Sequence, residues 1–102
     1  MASRLKLQAI FEDILGSRNV YFQPPTSVLL KYPCIIFNKA GSYKVNANNR
    51  MYSYTDRYEV TVIDYDPESE TPKKILAQLP MCSLDRCFTK DDLNHTTLTV
   101  YF

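Results

Sequence analysis

Apolar residues recur along this chain with two different periods. In the first fifteen residues the spacing is helical: Leu7, Ile10, Phe11, Ile14 and Leu15 fall on one face. Ser3 is placed to cap that helix and Gly16 to end it. Beyond this point the pattern shortens. Val20-Tyr21-Phe22-Gln23 reads as a short extended stretch stopped by Pro24-Pro25, and Tyr32-Pro33 turns the chain into Cys34-Ile35-Ile36-Phe37-Asn38. That run is continuously apolar, as expected of a central strand buried on both faces. From about Met51 to Asp64 the alternation is strict. Tyr58, Val60 and Val62 fall on one side, with Arg57, Glu59 and Thr61 on the other. A second helix is predicted from Ser69 or Thr71, with Pro72 early and Ile75, Leu76 and Leu79 as its apolar stripe, ending at Pro80. Two closing strands follow. One is Cys82 to Phe88, with Leu84 and Phe88 inward; the other is Thr96 to Phe102, with Leu98, Val100 and Phe102 inward, and Lys90-Asp91-Asp92 lies in the turn between them. The order is α-β-β-β-α-β-β, an α+β fold with a mostly antiparallel sheet and two helices packed on one face.

Residues 39–50 interrupt this series of elements. This stretch, Lys-Ala-Gly-Ser-Tyr-Lys-Val-Asn-Ala-Asn-Asn-Arg, is polar and basic, with turn chemistry at Gly41 and Asn48-Asn49. It reads as a loop excursion, too long for a tight hairpin and of the kind that carries contacts. Charge sharpens the picture. The net charge is +1, yet residues 31–50 hold Lys31, Lys39, Lys44 and Arg50 with no acid, while residues 51–102 hold five basic and nine acidic groups. A basic loop and an acidic half on one small domain suit head-to-tail contact between copies. At 102 residues the chain predicts a single domain, 1–102, with one modest core and no cleft between two domains. Eight tyrosines with no tryptophan and two glycines favour half-buried sheet faces and interfaces.

Candidate chemistry is sparse. His95 is the single histidine, which leaves no two-histidine metal site and only one possible imidazole base. Asp64, Asp66, Glu68 and Glu70 alternate along the turn into the second helix, where acids are expected from the helix dipole and where calcium-loop spacing is missing. Glycines only at 16 and 41 leave no phosphate-binding loop, so no cofactor is expected. The three cysteines do not form a paired framework. Cys34 reads as core, while Cys82 and Cys87, five apart, are expected on opposite faces of one strand. A reducing cytoplasm fits them, and the N-terminus has no apolar run long enough for a secretion signal or membrane span. Lys39, Lys44 and Arg50, interleaved with Tyr43 and Tyr52, can meet phosphates or an acidic neighbour; both readings stand at this point.

Several stretches carry a resemblance. Val20-Tyr21-Phe22-Gln23-Pro24-Pro25, Tyr32-Pro33-Cys34-Ile35-Ile36, Tyr58-Glu59-Val60-Thr61-Val62-Ile63-Asp64, Leu79-Pro80 and Asp85 to His95 together resemble the tail terminator (tail completion) proteins of long-tailed bacteriophages, over nearly the whole chain. The resemblance implies a structural, non-enzymatic virion protein without a cofactor or membrane contact. Such a protein is assembled in the host cytoplasm as a homo-hexameric ring on the head-proximal end of the tail tube. Its implied partners are its own copies, the tail tube protein and the head connector or stopper protein, with DNA passing through the lumen. The contact element expected from the residues is the 39–50 excursion, with Lys39, Tyr43, Lys44, Arg50 and Tyr52. A head-side neck adaptor or stopper is the alternative. A small cytoplasmic enzyme or nuclease subunit using Asp64, Asp66 and His95 is the remote one.

Overall fold

A computed structural model describes the backbone of every residue except Met1, Thr26, Val28, Asn48, Asn49 and Pro80; side chains are described for the same residues apart from Ala2, Ser3 and residues 42–55. Helix α1 (Ala2–Leu15) buries Leu7, Phe11 and Ile14, the predicted stripe, and half-buries Ile10 and Leu15. Its first residue is Ala2, so Ser3 lies inside the helix and not at its cap. Gly16 takes φ 77° and its N–H closes on Glu12 O at 2.9 Å, the left-handed ending that a residue with a Cβ resists. Strand β1 (Val20–Phe22) is followed by β2 (Cys34–Ala47), β3 (Arg50–Asp64), α2 (Thr71–Gln78), β4 (Cys82–Lys90) and β5 (Leu93–Tyr101).

The five strands form one mixed sheet in the order β1-β2-β3-β5-β4. Only β1 and β2 run parallel; the other neighbours are antiparallel. The registers Ile35↔Val62, Phe37↔Val60 and Val60↔Leu98 put the buried residues of three central strands on one face. Leu7, Phe11 and Ile14 of α1, with Ile75 of α2 and Leu79 after it, close over that face as a single apolar cluster. Phe37 is its hub, meeting Phe11 edge-on at 5.3 Å and Phe22 and Tyr58 at 5.0 and 5.9 Å between ring centres. Both helices therefore pack on one side, as the α+β reading expects. The opposite face of the sheet carries no helix.

Two features of the sequence reading change. Residues 39–50 are not a loop. β2 runs on through Ala47, and β3 already begins at Arg50, so the polar stretch is a paired hairpin. The sequence masks it because Gly41, which reads as a turn, sits in a β-bulge where the register shifts between Lys39 and Gly41, although Tyr43, Val45 and Ala47 alternate with Lys44 and Asn46 beyond it. The second change is a bulge in β4, where the register shifts between Leu84 and Arg86. After it, Cys87 pairs with Thr96 and Phe88 with His95, so each residue points opposite to simple alternation. Cys82 and Cys87 thus share the helix-side face, and Phe88 turns outward to the open face. Leu84 keeps the predicted face but stays exposed at the sheet's margin.

Candidate functional site

The hairpin is the molecule's most conspicuous projection. β1 stops at Phe22, after which Gln23 adds one rung: its N–H donates to Phe37 O, and its Oε1 accepts from Lys39 N at 3.1 Å. Pro24 and Pro25 have no N–H and cannot extend the strand. On the other side β5 pairs with β3 only as far as Arg57↔Tyr101, one residue before Phe102. At the base Phe102 N–H donates to Asp56 O at 3.0 Å; beyond it, the described residues among 40–55 form a two-stranded arm in which β2 pairs with β3. The radius of gyration, 14.5 Å, exceeds the roughly 13 Å expected of a compact domain this size, and the longest dimension is 51 Å. That is about the length of the fifteen-residue β3 alone at ~3.3 Å per residue.

The arm's base is tied by polar contacts. Lys39 Nζ lies 3.4 Å from Asp56 Oδ1, a carboxylate oxygen that is buried and accepts no well-aligned hydrogen bond; the geometry is that of an ion pair. Arg57 reaches across the bulge to donate from Nη2 to Ala40 O at 2.9 Å. Gly41 stands at φ 153°, and a Cβ there would come within 3.4 Å of the Arg57 guanidinium. Of the five residues expected to form the contact element, four lie on this arm. Lys39 marks its base. In the backbone Tyr43 pairs with Thr55, Lys44 with Tyr54 and Arg50 with Ala47, while Tyr52 falls at the register shift between Val45↔Ser53 and Asn46↔Met51. The side-chain positions of Tyr43, Lys44, Arg50 and Tyr52 lie outside the described residues.

The topology sends the acids to the other end. β3 carries the chain from the arm to Asp64, so Asp64, Asp66, Glu68 and Glu70 follow at its far end. Asn94↔Asp64 brings the β4–β5 turn, Asp91-Asp92, to the same level. Six carboxylates gather there against Lys90 and the two lysines at the start of α2, whereas the arm and its base hold Lys39, Lys44, Arg50 and Arg57 against Asp56. The molecule is charged oppositely at its two ends.

The acidic turn itself is spent on backbone. Asp64 Oδ1 accepts from Asp66 N at 3.0 Å, and Asp66 Oδ1 from Glu68 N at 2.9 Å, successive Asx-turns that shape the connection. His95 lies within β5 on the open face, its Nδ1 3.2 Å from Leu93 O and its ring stacked on Phe88 at 4.9 Å; the Arg86 guanidinium also lies over the Phe88 ring, at 4.9 Å. Since Ile63 pairs with His95, Asp64 points to the opposite face, and the Asp64–Asp66–His95 set is not brought together. Two shallow depressions lie near β4, of about 240 Å³ beside Glu59, Asp85, Arg86 and Thr97, and about 170 Å³ beside Pro67, Phe88, Thr89 and His95. Both are smaller than the roughly 300 Å³ at which ligand pockets begin. Among the described residues no group of histidines, cysteines and acids could hold a metal, and no helix is long and apolar enough to cross a membrane. All three cysteines are free; burial pushes the Cys34 thiol up to about 11, and burial and then the Asp85 charge raise that of Cys82.

The arm's pairing and the Arg86–Phe88–His95 stack are what sequence reasoning missed. The stack had one signal: Asp85-Arg86, two polar residues in succession between Leu84 and Cys87, is the mark of a bulge in an alternating strand. Comparison with known proteins finds no matching family model, no curated relative and no solved structure of significant similarity.

Proposed function

We propose that this chain is a structural assembly protein that works as a ring of copies, a tail terminator that ends a bacteriophage tail tube and joins it to the head. The observation that carries the reading is the self-paired basic arm, set at the opposite end of the molecule from a cluster of carboxylates. A two-stranded ribbon is at best marginally stable in water, so an arm of this length gains most from a partner surface. Opposite charge at the two ends favours heterologous contact, in which one surface of a copy meets a different surface of the next; such contacts close into rings when the rotation allows. The resemblance of the sequence to tail terminators supplies the biological setting, a ring on the head-proximal end of the tube, with the tube protein below and the head connector above. The absence of an assembled acid–base set at Asp64 and His95 agrees with a structural role.

The test is electron microscopy of particles made when the gene is disrupted in a phage that carries it. Filled heads beside detached tubes of irregular or excessive length are expected. Detached tails of normal length would instead place the protein on the head side, as an adaptor or stopper. Normal virions would overturn both assignments.

A further inference from the structure

We infer that the arm of one copy pairs, edge to edge, with β4 of the next, so that residues 40–47 of β2 add a strand to the neighbour's sheet. The inference rests on the assembly reading above and names the surface that receives the arm. An open strand edge carries unpaired N–H and C=O groups in a row and is stabilised by another strand of matching length. The sheet has two edges, and they are not alike. On the β1 side the core end is closed: β1 is three residues long, Gln23 caps the next rung, and Pro24-Pro25 follow. On the same side, from Ala40 to Ala47, β2 has among the described residues no strand neighbour but β3. At the other edge β4 is nine residues long, contains no proline, and is exposed at every residue but Cys82. Eight residues of open β2 therefore match an open strand of nine, one on each side of the sheet. Such a pair joins right edge to left edge, and the contact is heterologous.

Charge favours the same pairing. β4, which itself holds Asp85 with Arg86 and Lys90, runs into the Asp91-Asp92 turn at the acidic end, and the arm that would reach that end brings Lys44 and Arg50. Arg86 is already turned over Phe88 on the open face. The bulge at Asp85, a device that discourages indiscriminate edge pairing, leaves Arg86–Lys90 as a regular stretch. Because the arm lies beyond the level of β4, pairing sets successive copies off along the strand direction, and a closed ring then needs strands tilted to its axis.

The native thiol of Cys87, exposed on β4, makes the contact testable. Single substitutions to cysteine at positions 42 to 46 would be placed in the full chain, the protein concentrated until it self-associates, oxidised mildly, and the linked peptides identified by mass spectrometry. A disulfide joins only Cα atoms within about 7 Å, so pairing predicts a covalent dimer dominated by one position, the one opposite Cys87, with the others near the wild-type level. The link should disappear with Cys87→Ser. Uniform yields, no link at any position, or a dominant Cys87–Cys87 link, which would mean β4 pairing with β4, would each overturn the inference. Rings seen by microscopy without this cross-link would remove the strand contact and leave the assembly reading standing. The cross-link in a protein whose loss leaves virions normal would do the reverse.

Discussion

At the scale of single residues, the base of the arm depends on two that the alternation pattern gives no reason to single out. Gly41 holds φ 153°, a backbone region L side chains rarely enter, and the Arg57 guanidinium lies over it. Gly41→Ala is expected to lower stability by about 1 kcal/mol, a fall of roughly 5 °C in Tm for a domain this size, read by thermal denaturation. The thiols separate on the same scale. Cys34 is fully buried and its pKa is raised to about 11 from 9.0, so near pH 8 it stays a neutral, inaccessible thiol, while Cys87 is exposed. Labelling of the native protein with an alkylating reagent near pH 8 should modify Cys87 first and leave Cys34 untouched until unfolding. The sign of the linkage follows. A thiol that ionises less readily folded than unfolded stabilises fully below pH 9.0 and loses that contribution as pH rises through about 11. Cys34→Ala should therefore flatten the alkaline fall in Tm between those values. Rapid modification of Cys34 in the folded protein would contradict its place in the core.

At the scale of elements, the core and the arm should respond independently. Leu98 and Val100 are fully buried at the centre of the sheet, and Leu98→Asp adds an unpaired buried charge to a lost apolar contact. The cost, several kcal/mol, takes up most of the 5–15 kcal/mol typical of a domain, so the variant is expected to be unfolded by circular dichroism. Replacing residues 42–55 by a two-residue turn should leave a cooperative transition, because β1, β5 and both helices engage the sheet below the arm. These elements were also the ones most legible in the sequence. Leu7, Phe11 and Ile14 at helical spacing and Tyr58, Val60 and Val62 at strand spacing each mark a buried face, and burial is what imposes the period. The arm reads as a loop for its turn residues, Gly41 and Asn48-Asn49, which outweigh the short alternation of Tyr43, Val45 and Ala47 with Lys44 and Asn46. The outward turn of Phe88 was hidden for a different reason. One extra residue at Asp85 reverses every later position in the strand, and simple alternation has no way to count it.

At the scale of the whole molecule, the separation of charge governs how copies meet. Net charge of +1 is too small to drive association or oppose it, so the arrangement matters more than the sum. Contacts between the arm and the acidic end are exposed, and the Debye length shrinks from about 10 Å at 0.1 M salt to about 3 Å at 1 M. Self-association measured by sedimentation should accordingly weaken as salt rises. Charge reversal must avoid Lys39, since it faces the buried Oδ1 of the half-buried Asp56 at the arm's base and Lys39→Glu would disturb the fold as well as the contact. Lys44→Glu with Arg50→Glu leaves that base intact. The double variant should melt like the wild type yet fail to associate, at low salt as at high. Reversing Asp91 and Asp92 to lysine in a second chain then provides the decisive mixture. If the two ends meet, neither variant associates alone while the pair together does. Association of each variant by itself would mean that the surfaces joining the copies lie elsewhere on the sheet, with the charges at its ends left to face solvent.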